Sequence, residues 1–172
     1  QEAFDRQLLR AFVSAGWPWS SIGDPEVQAL FHNYVPGAQL PSRQRLSGSL
    51  LEREVGKSQQ SWIMKNSRSS TPVYATIQCD GLKDRSKKHI LAFTHTVNRE
   101  VRVGSIYDLS AERKTGENLY KLMEKEIEHC RDVLKLAVIG ITGDAGGDER
   151  KARALAAKES PWMLFADCWA HQ

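Results

Sequence analysis

The 172-residue sequence lacks the features that mark several specialised classes of protein. No apolar run approaches the roughly 20 residues that a membrane-spanning helix needs, and the N-terminus has no basic-then-apolar secretory signal. There is no internal repeat and no low-complexity tract. The three cysteines, Cys79, Cys130 and Cys168, are an odd number without a disulfide-framework spacing. We therefore expect a globular protein with free thiols from a reducing, intracellular compartment and no membrane partner.

The charge is nearly balanced, with a net charge of +3 and a pI of about 8.8. This mildly basic character weakly favours a nucleic-acid partner. The basic residues are concentrated in two clusters: Lys83, Arg85, Lys87 and Lys88, and later Arg150, Lys151 and Arg153. These clusters are candidates for phosphate contacts, and the alternative is that they are solvated loops and a helix surface.

The chain changes character near residue 70. Residues 1–70 have apolar residues at helical spacing, and residues 66–72 read as a polar linker. We therefore predict a helical lead-in segment over residues 1–70 and an α/β core over residues 71–172. Because residue 1 is Gln, we also expect the sequence to be a piece of a longer protein.

The core pattern predicts strands at 73–79, 89–97, 100–107, 136–141 and 162–166, with helices at 118–131 and 148–158. Asn98-Arg99 lies between the second and third strands as a hairpin signal. The resulting order is β-β-β-α-β-α-β. A meander followed by alternating helices and strands predicts a mixed sheet. We expect its strand order to be 3-2-1-4-5.

Two of the predicted strands end in an aspartate beside a glycine, in Thr76-Ile77-Gln78-Cys79-Asp80-Gly81 and in Val138-Ile139-Gly140-Ile141-Thr142-Gly143-Asp144. In the 3-2-1-4-5 order the first and fourth strands are neighbours, so Asp80 and Asp144 can meet at one edge. A close pair of carboxylates favours a bound cation, and hard oxygen ligands suit Mg²⁺ or Mn²⁺. The pair is typical of a two-metal phosphoryl-transfer site. The alternative is that both aspartates only cap turns.

The glycine-rich turn at residues 142–147 also permits a phosphate-binding interpretation, because such turns can lead into a helix N-terminus. It lacks the Gly-Lys-Ser/Thr ending of a Walker A loop and the spacing of a dinucleotide fingerprint. A nucleotide-binding function is therefore the weakest of the alternatives.

Four segments resemble successive blocks of hAT-type transposases, namely CDGLKDRSKKHILAFTHTVNRE, YDLSAERKTGENLYKLMEK, VIGITGDAGGDERKARAL and FADCWAHQ. They are most similar to a transposase-associated domain of unknown function of fungal and plant type. The resemblance implies an RNase H-like fold and DNA cleavage and strand transfer in the full-length parent. It also implies a nuclear location and self-association through regions absent here.

The resemblance assigns roles residue by residue. Asp80 and Asp144 match the two catalytic, metal-binding aspartates, with Mg²⁺ or Mn²⁺ as cofactor. Cys168 and His171 match a Cys-x-x-His block near the site, where they would support the acids through hydrogen bonds. From the residues alone this pair could also be half of a zinc site, or a buried cysteine with an exposed terminal histidine.

The sequence departs from the family pattern at two positions. Leu82 stands where the family usually has Trp, and Ala145 stands where an Asn is expected. The third catalytic acid, a glutamate beyond a helical insertion, is expected past Gln172. We therefore expect this chain to be inactive alone. The alternative is a non-catalytic, transposon-derived scaffold that binds DNA or protein.

Overall fold

The computed structural model describes residues 1–83 and 85–168. The chain divides into two compact units, Gln1–Trp62 and Ile63–Gln172. The division lies inside a helix and precedes the linker predicted at residues 66–72. The assignment of residues 1–70 and 71–172 to separate domains stays a prediction.

The first unit is helical, as the sequence predicts. It contains α1 (Glu2–Ala15), a 3₁₀ turn (Trp19–Gly23), α2 (Pro25–Tyr34) and α3 (Arg43–Arg45), and α4 (Leu51–Ser67) begins in it. A π-helical stretch, Leu46–Leu50, joins α3 to α4. Six buried apolar residues form its core: Leu8, Leu9, Phe12, Ile22, Leu46 and Leu50.

Local sequence signals explain the ends of these helices. Gly16 adopts a left-handed conformation and ends α1. The Asp24 carboxylate accepts hydrogen bonds from the Glu26 and Val27 amides, and Pro25 is the first residue of α2. These features are the cap and first-turn proline expected at a helix start.

The second unit is built on one five-stranded sheet. Its strands are β1 (Tyr74–Lys83), β2 (His89–Val97), β3 (Glu100–Asp108), β4 (Ala137–Gly143) and β5 (Leu164–Asp167), and its helices are α5 (Gly116–Asp132) and α6 (Gly147–Glu159). The strand order is β3-β2-β1-β4-β5. β1, β2 and β3 pair antiparallel, whereas β4 is parallel to β1 and β5 is parallel to β4. The predicted RNase H-like mixed α/β sheet is therefore confirmed.

The hairpin between β2 and β3 follows the predicted turn. Asn98 and Arg99 have φ angles of 51° and 67°. Two consecutive left-handed residues are typical of a tight type I′ hairpin, whose twist matches that of the flanking strands.

Alternation along β1 places one face of the sheet in the core. Ala75, Ile77 and Cys79 are buried, and they alternate with more exposed residues. Met123 of α5 and Ala152 of α6 are also fully buried. Small residues on α6 are suited to close packing of a helix.

Two local features differ from the sequence prediction. β1 does not end at Asp80 but continues to Lys83, because β2 goes on pairing with it as far as Lys83↔His89. The N-cap of α6 is Gly146, so the helix begins one residue before the predicted start at residue 148.

Gly104 of β3 lies against two buried polar side chains. A Cβ built on it would be 2.6 Å from Glu126 Oε1 and 2.6 Å from His95 Cε1. Neither atom can move easily, because His95 Nε2 and Glu126 Oε1 are 2.7 Å apart and both residues are fully buried. Only glycine fits at this position without displacing the pair.

We therefore expect Gly104→Ala to lower the free energy of unfolding by roughly 1–3 kcal/mol through overpacking. Urea denaturation measures the change. Gly147→Ala is the matched control, because the space around Gly147 is open and its φ is not positive. Equal stability of the two variants would contradict the assigned close approach.

Candidate functional site

The register of β1 and β4 brings the two predicted acids side by side. Cys79 pairs with Gly143 at the last position of this parallel ladder. Asp80 and Asp144 are the next residue of each strand, and neighbouring strands lie about 4.8 Å apart. We call this end of the parallel strands, with Asp80, Asp144 and Asp167, the carboxyl edge.

Both predicted acids are available to a ligand. Asp80 is exposed and Asp144 is half-buried. Within residues 1–83 and 85–168, the hydrogen bonds and ion pairs involve neither of their carboxylates. Their oxygens therefore remain open to a cation or to water.

Another carboxyl group, that of Glu149 in the first turn of α6, lies beneath Asp144. Glu149 is only 3% exposed. Burial raises its pKa, and repulsion from the Asp144 carboxylate raises it further. The Asp144 backbone N–H, Lys114 and Arg153 offset part of this shift. Glu149 is not among the residues predicted from the sequence, because a charged residue in a helix with many charged neighbours is normally a surface residue.

Gly143 makes this arrangement possible. A Cβ on Gly143 would lie 2.8 Å from both Glu149 Oε2 and Arg153 Nη1, and 3.0 Å from Cys79 Sγ. The absent side chain therefore leaves room for a buried acid, a buried arginine and a thiol directly under the ladder.

Arg153 connects three elements at the carboxyl edge. Its Nη2 donates a hydrogen bond of 2.9 Å to the Asp144 carbonyl and another to the Asp167 carboxylate on β5. Its Nη1 is 3.8 Å from Glu149 Oε2. Arg153 is 4% exposed, so the alternative of a solvated helix surface does not hold for this residue. It holds the end of β4 against α6 and β5.

Two arginines balance the charge of the Asp167 carboxylate. Besides Arg153, Arg150 Nε donates to Asp167 Oδ2 at 3.3 Å. Cys168 follows directly and donates its backbone N–H to the Gly143 carbonyl at 2.7 Å. The predicted residue Cys168 therefore lies at the carboxyl edge, whereas His171 lies outside the described residues.

Burial and the same carboxylates raise the pKa of the Cys79 thiol, which faces the core. Burial, followed by Glu149, raises the pKa of its thiol to about 12, with smaller contributions from Asp80 and Asp144. Arg153 acts in the opposite direction. The thiol is therefore neutral at physiological pH, which agrees with a core role.

The predicted basic residues fall into two groups. Lys83, Arg85 and Lys87 are exposed just beyond Asp80. The other three are exposed but form ion pairs: Lys88 with Asp108 at 3.0 Å, Lys151 with Glu117 at 2.5 Å and Arg150 with Asp167 at 3.3 Å.

A cavity of about 470 Å³ adjoins the exposed end of β1. Leu82, Ile90 and Leu119 contribute apolar surface to it, and Lys83 and Lys114 contribute positive charge. Glu149 also lines it, so the cavity reaches the group beneath Asp144. Leu82 is exposed in its wall.

Comparisons with known proteins identify no family for this chain. No protein-family model and no curated protein matches the chain. Among solved structures, the catalytic core domain of BIV integrase is similar, with 14% identity, a TM-score of 0.37 and 56% of each chain covered. The chain thus spans little more than half of that structure. The fold assignment depends on strand order and direction and not on this similarity.

Within the part of the chain that the structure describes, no helix combines the length and apolar character needed to cross a bilayer.

The raised pKa of Glu149 predicts a pH dependence of stability. The folded protein holds this proton more tightly than the unfolded chain, whose ordinary pKa is near 4.5. The stabilisation is present below that value and is lost as pH rises through the folded pKa. Each unit of difference corresponds to about 1.4 kcal/mol.

We expect Glu149→Gln to remove this loss. The free energy of unfolding of the variant, relative to that of the wild type, should therefore rise from acidic to neutral pH. Urea denaturation across this pH range measures the difference. Glu128→Gln, at an exposed site on α5, should follow the wild type. A parallel pH profile for wild type and Glu149→Gln would contradict the assigned repulsion.

Proposed function

We propose that this chain carries the first two acids of a metal-dependent DNA strand-transfer site, as the N-terminal part of a hAT-type transposase catalytic domain. The observation that carries the proposal is the position of Asp80 and Asp144. They follow the last paired residues of neighbouring parallel strands, and no described residue neutralises either carboxylate.

The residues present fit a hard divalent cation. Asp80 and Asp144 offer oxygen ligands, which Mg²⁺ and Mn²⁺ prefer. Burial, followed by repulsion from the Asp144 carboxylate, raises the pKa of Glu149, so a second acid lies close to Asp144. When bound, such ions activate a water or 3′-hydroxyl and stabilise the charge on a phosphodiester.

The remaining groups at the carboxyl edge act as positioning residues. Arg153 fixes the Asp144 carbonyl and occupies Asp167, which keeps the latter from competing for the cation. Glu149 supports Arg153 from below at 3.8 Å. In this proposal the third catalytic acid comes from the continuation of the parent protein beyond Gln172.

DNA is the proposed substrate, and a nuclear location accompanies it. Lys83, Arg85 and Lys87 lie exposed beside Asp80, where they can contact backbone phosphates on either side of the reacting bond. Self-association of the parent protein belongs to the same proposal.

Titration with Mn²⁺, followed by amide NMR, tests the metal site. We expect paramagnetic broadening confined to residues around Asp80 and Asp144, and its loss in Asp80→Asn, which keeps the shape but removes the charge. Asp132→Asn is the control, because Asp132 is an exposed acid at the far end of α5.

If Asp80→Asn unfolds, its amide signals collapse into a narrow range of chemical shifts. A folded variant that has only lost the metal keeps its signal dispersion. Absence of localised broadening in the wild type, or its persistence in Asp80→Asn, would contradict the proposal. The chain would then fit the alternative of a non-catalytic scaffold for DNA or protein.

DNA binding gives a separate prediction. Combined substitution of Lys83, Arg85 and Lys87 by Ala should weaken binding to a fluorescent duplex in anisotropy titrations. The slope of log affinity against log salt should fall by about 0.9 for each phosphate that the variant no longer neutralises.

The control removes the same charge elsewhere, by combined alanine substitution of the exposed residues Arg68, Lys121 and Lys158. An equal fall in both triple variants would assign DNA binding to net charge alone. Unchanged affinity in the first triple variant would remove these residues from the interface.

A further inference from the structure

A second group of metal-ligating side chains is buried away from the carboxyl edge. His95 of β2 and Glu126 and Cys130 of α5 each have no exposed surface. One ligand atom from each lies within 4.8 Å of those of the other two. Ligands around a tetrahedral ion with bonds of 2.0–2.3 Å are separated by less than this distance, so only small adjustments are needed.

The local structure explains why these residues meet. Glu126 and Cys130 are four residues apart on α5, so they share its buried face. His95 occupies an inward position of β2, on the same buried face as Phe93 and Val97. Gly104 of β3 leaves the space that the His95 and Glu126 side chains need, as its missing Cβ shows.

Without a metal, the carboxylate of this group has an incomplete set of partners. His95 Nε2 lies 2.7 Å from Glu126 Oε1, which also accepts a hydrogen bond from the Ser105 amide at 3.2 Å. Glu126 Oε2 is buried, and none of the described residues donates to it. A carboxylate oxygen left in this state costs free energy, which a bound cation would recover.

Three kinds of donor lie together at this point of the core. They are the Glu126 carboxylate oxygens, an imidazole nitrogen of His95 and the Cys130 thiol sulfur.

We propose that His95, Glu126 and Cys130 bind one Zn²⁺ ion in a closed structural site. Nitrogen, oxygen and sulfur ligands together suit Zn²⁺, whereas Mg²⁺ and Mn²⁺ favour oxygen alone. Glu126 Oε2 supplies a fourth donor if the carboxylate binds through both oxygens. The absence of solvent exposure makes this a structural and not a catalytic centre.

Binding requires two protons to move. The proton that His95 Nε2 shares with Glu126 Oε1 shifts to Nδ1, which frees Nε2 for zinc. The Cys130 thiol loses its proton to solvent as the sulfur–zinc bond forms, and no oxidation or reduction takes place. Because one proton is released overall, zinc affinity should increase with pH, and binding should be coupled to folding.

Cobalt substitution tests the site directly. Co²⁺ added to the chelator-treated full chain should give a thiolate-to-cobalt charge-transfer band and the intense visible absorption of a tetrahedral site. The double variant Cys79→Ser/Cys168→Ser leaves Cys130 as the only cysteine, and it should keep both signals. Cys130→Ser should lose the charge-transfer band.

Zinc content and stability complete the test. Protein expressed with zinc should contain one Zn²⁺ per chain by elemental analysis, and chelation should lower its Tm. Cys79→Ser is the matched control for Cys130→Ser, since both thiols are buried and burial raises the pKa of each to about 12. The control should retain zinc, and Cys130→Ser should lose it.

The outcomes separate this site from the one at the carboxyl edge. Metal bound by Asp80 and Asp144 gives no thiolate band, so its presence or absence leaves this result unchanged. Zinc content is compared in the Asp80→Asn background, which removes that metal. No thiolate band in the single-cysteine variant, or full zinc content in Asp80→Asn/Cys130→Ser, would overturn the proposal. If Cys130→Ser fails to fold, the single-cysteine variant still decides the question.

Discussion

The candidate site depends on one close approach, that of α6 to the end of the β1–β4 ladder at Gly143. Because Gly143 has no side chain, Glu149, Arg153 and Cys79 pack directly beneath it. Arg153 then holds the Asp144 carbonyl and Asp167 in fixed positions. The positions of Asp80 and Asp144 follow from this packing together with the Cys79↔Gly143 register. A larger residue at 143 would separate the helix from the strand and disturb both.

The acids at the carboxyl edge differ in whether a positive charge balances them, and this difference determines which of them can bind a cation. Arg150 and Arg153 neutralise Asp167. Glu149 stays buried with a raised pKa, since desolvation and Asp144 both oppose its charge. Asp80 and Asp144 remain accessible to solvent without a partner among the described residues. A divalent cation is the simplest species that would relieve the repulsion while leaving the arginine pairs intact.

At two places in the sheet, a strand glycine leaves space for a buried glutamate. At Gly104, as at Gly143, a missing side chain lets a buried glutamate approach a strand closely. At Gly143 the partner of the acid is an arginine, whereas at Gly104 it is a histidine with a cysteine nearby. The first arrangement supports an accessible acid pair, and the second has the nitrogen, oxygen and sulfur donors of a zinc site. Both glutamates are on helices that cover the same buried face of the sheet.

The sequence by itself determined the local structure. Alternation and the Asn98-Arg99 turn sufficed for the strands and the hairpin, because these signals act over a few residues. The expected strand order agrees with the structure, and in that order the ends of β1 and β4 bring Asp80 beside Asp144. Only the tertiary structure decided which charged residues are buried. Glu149, Arg153 and Glu126 carry no local sign of burial. Arg153 and Glu126 have partners 14 and 31 residues away in the chain, namely Asp167 and His95. Long-range packing sets their desolvation and hydrogen bonding, and these two effects determine how a charged group behaves.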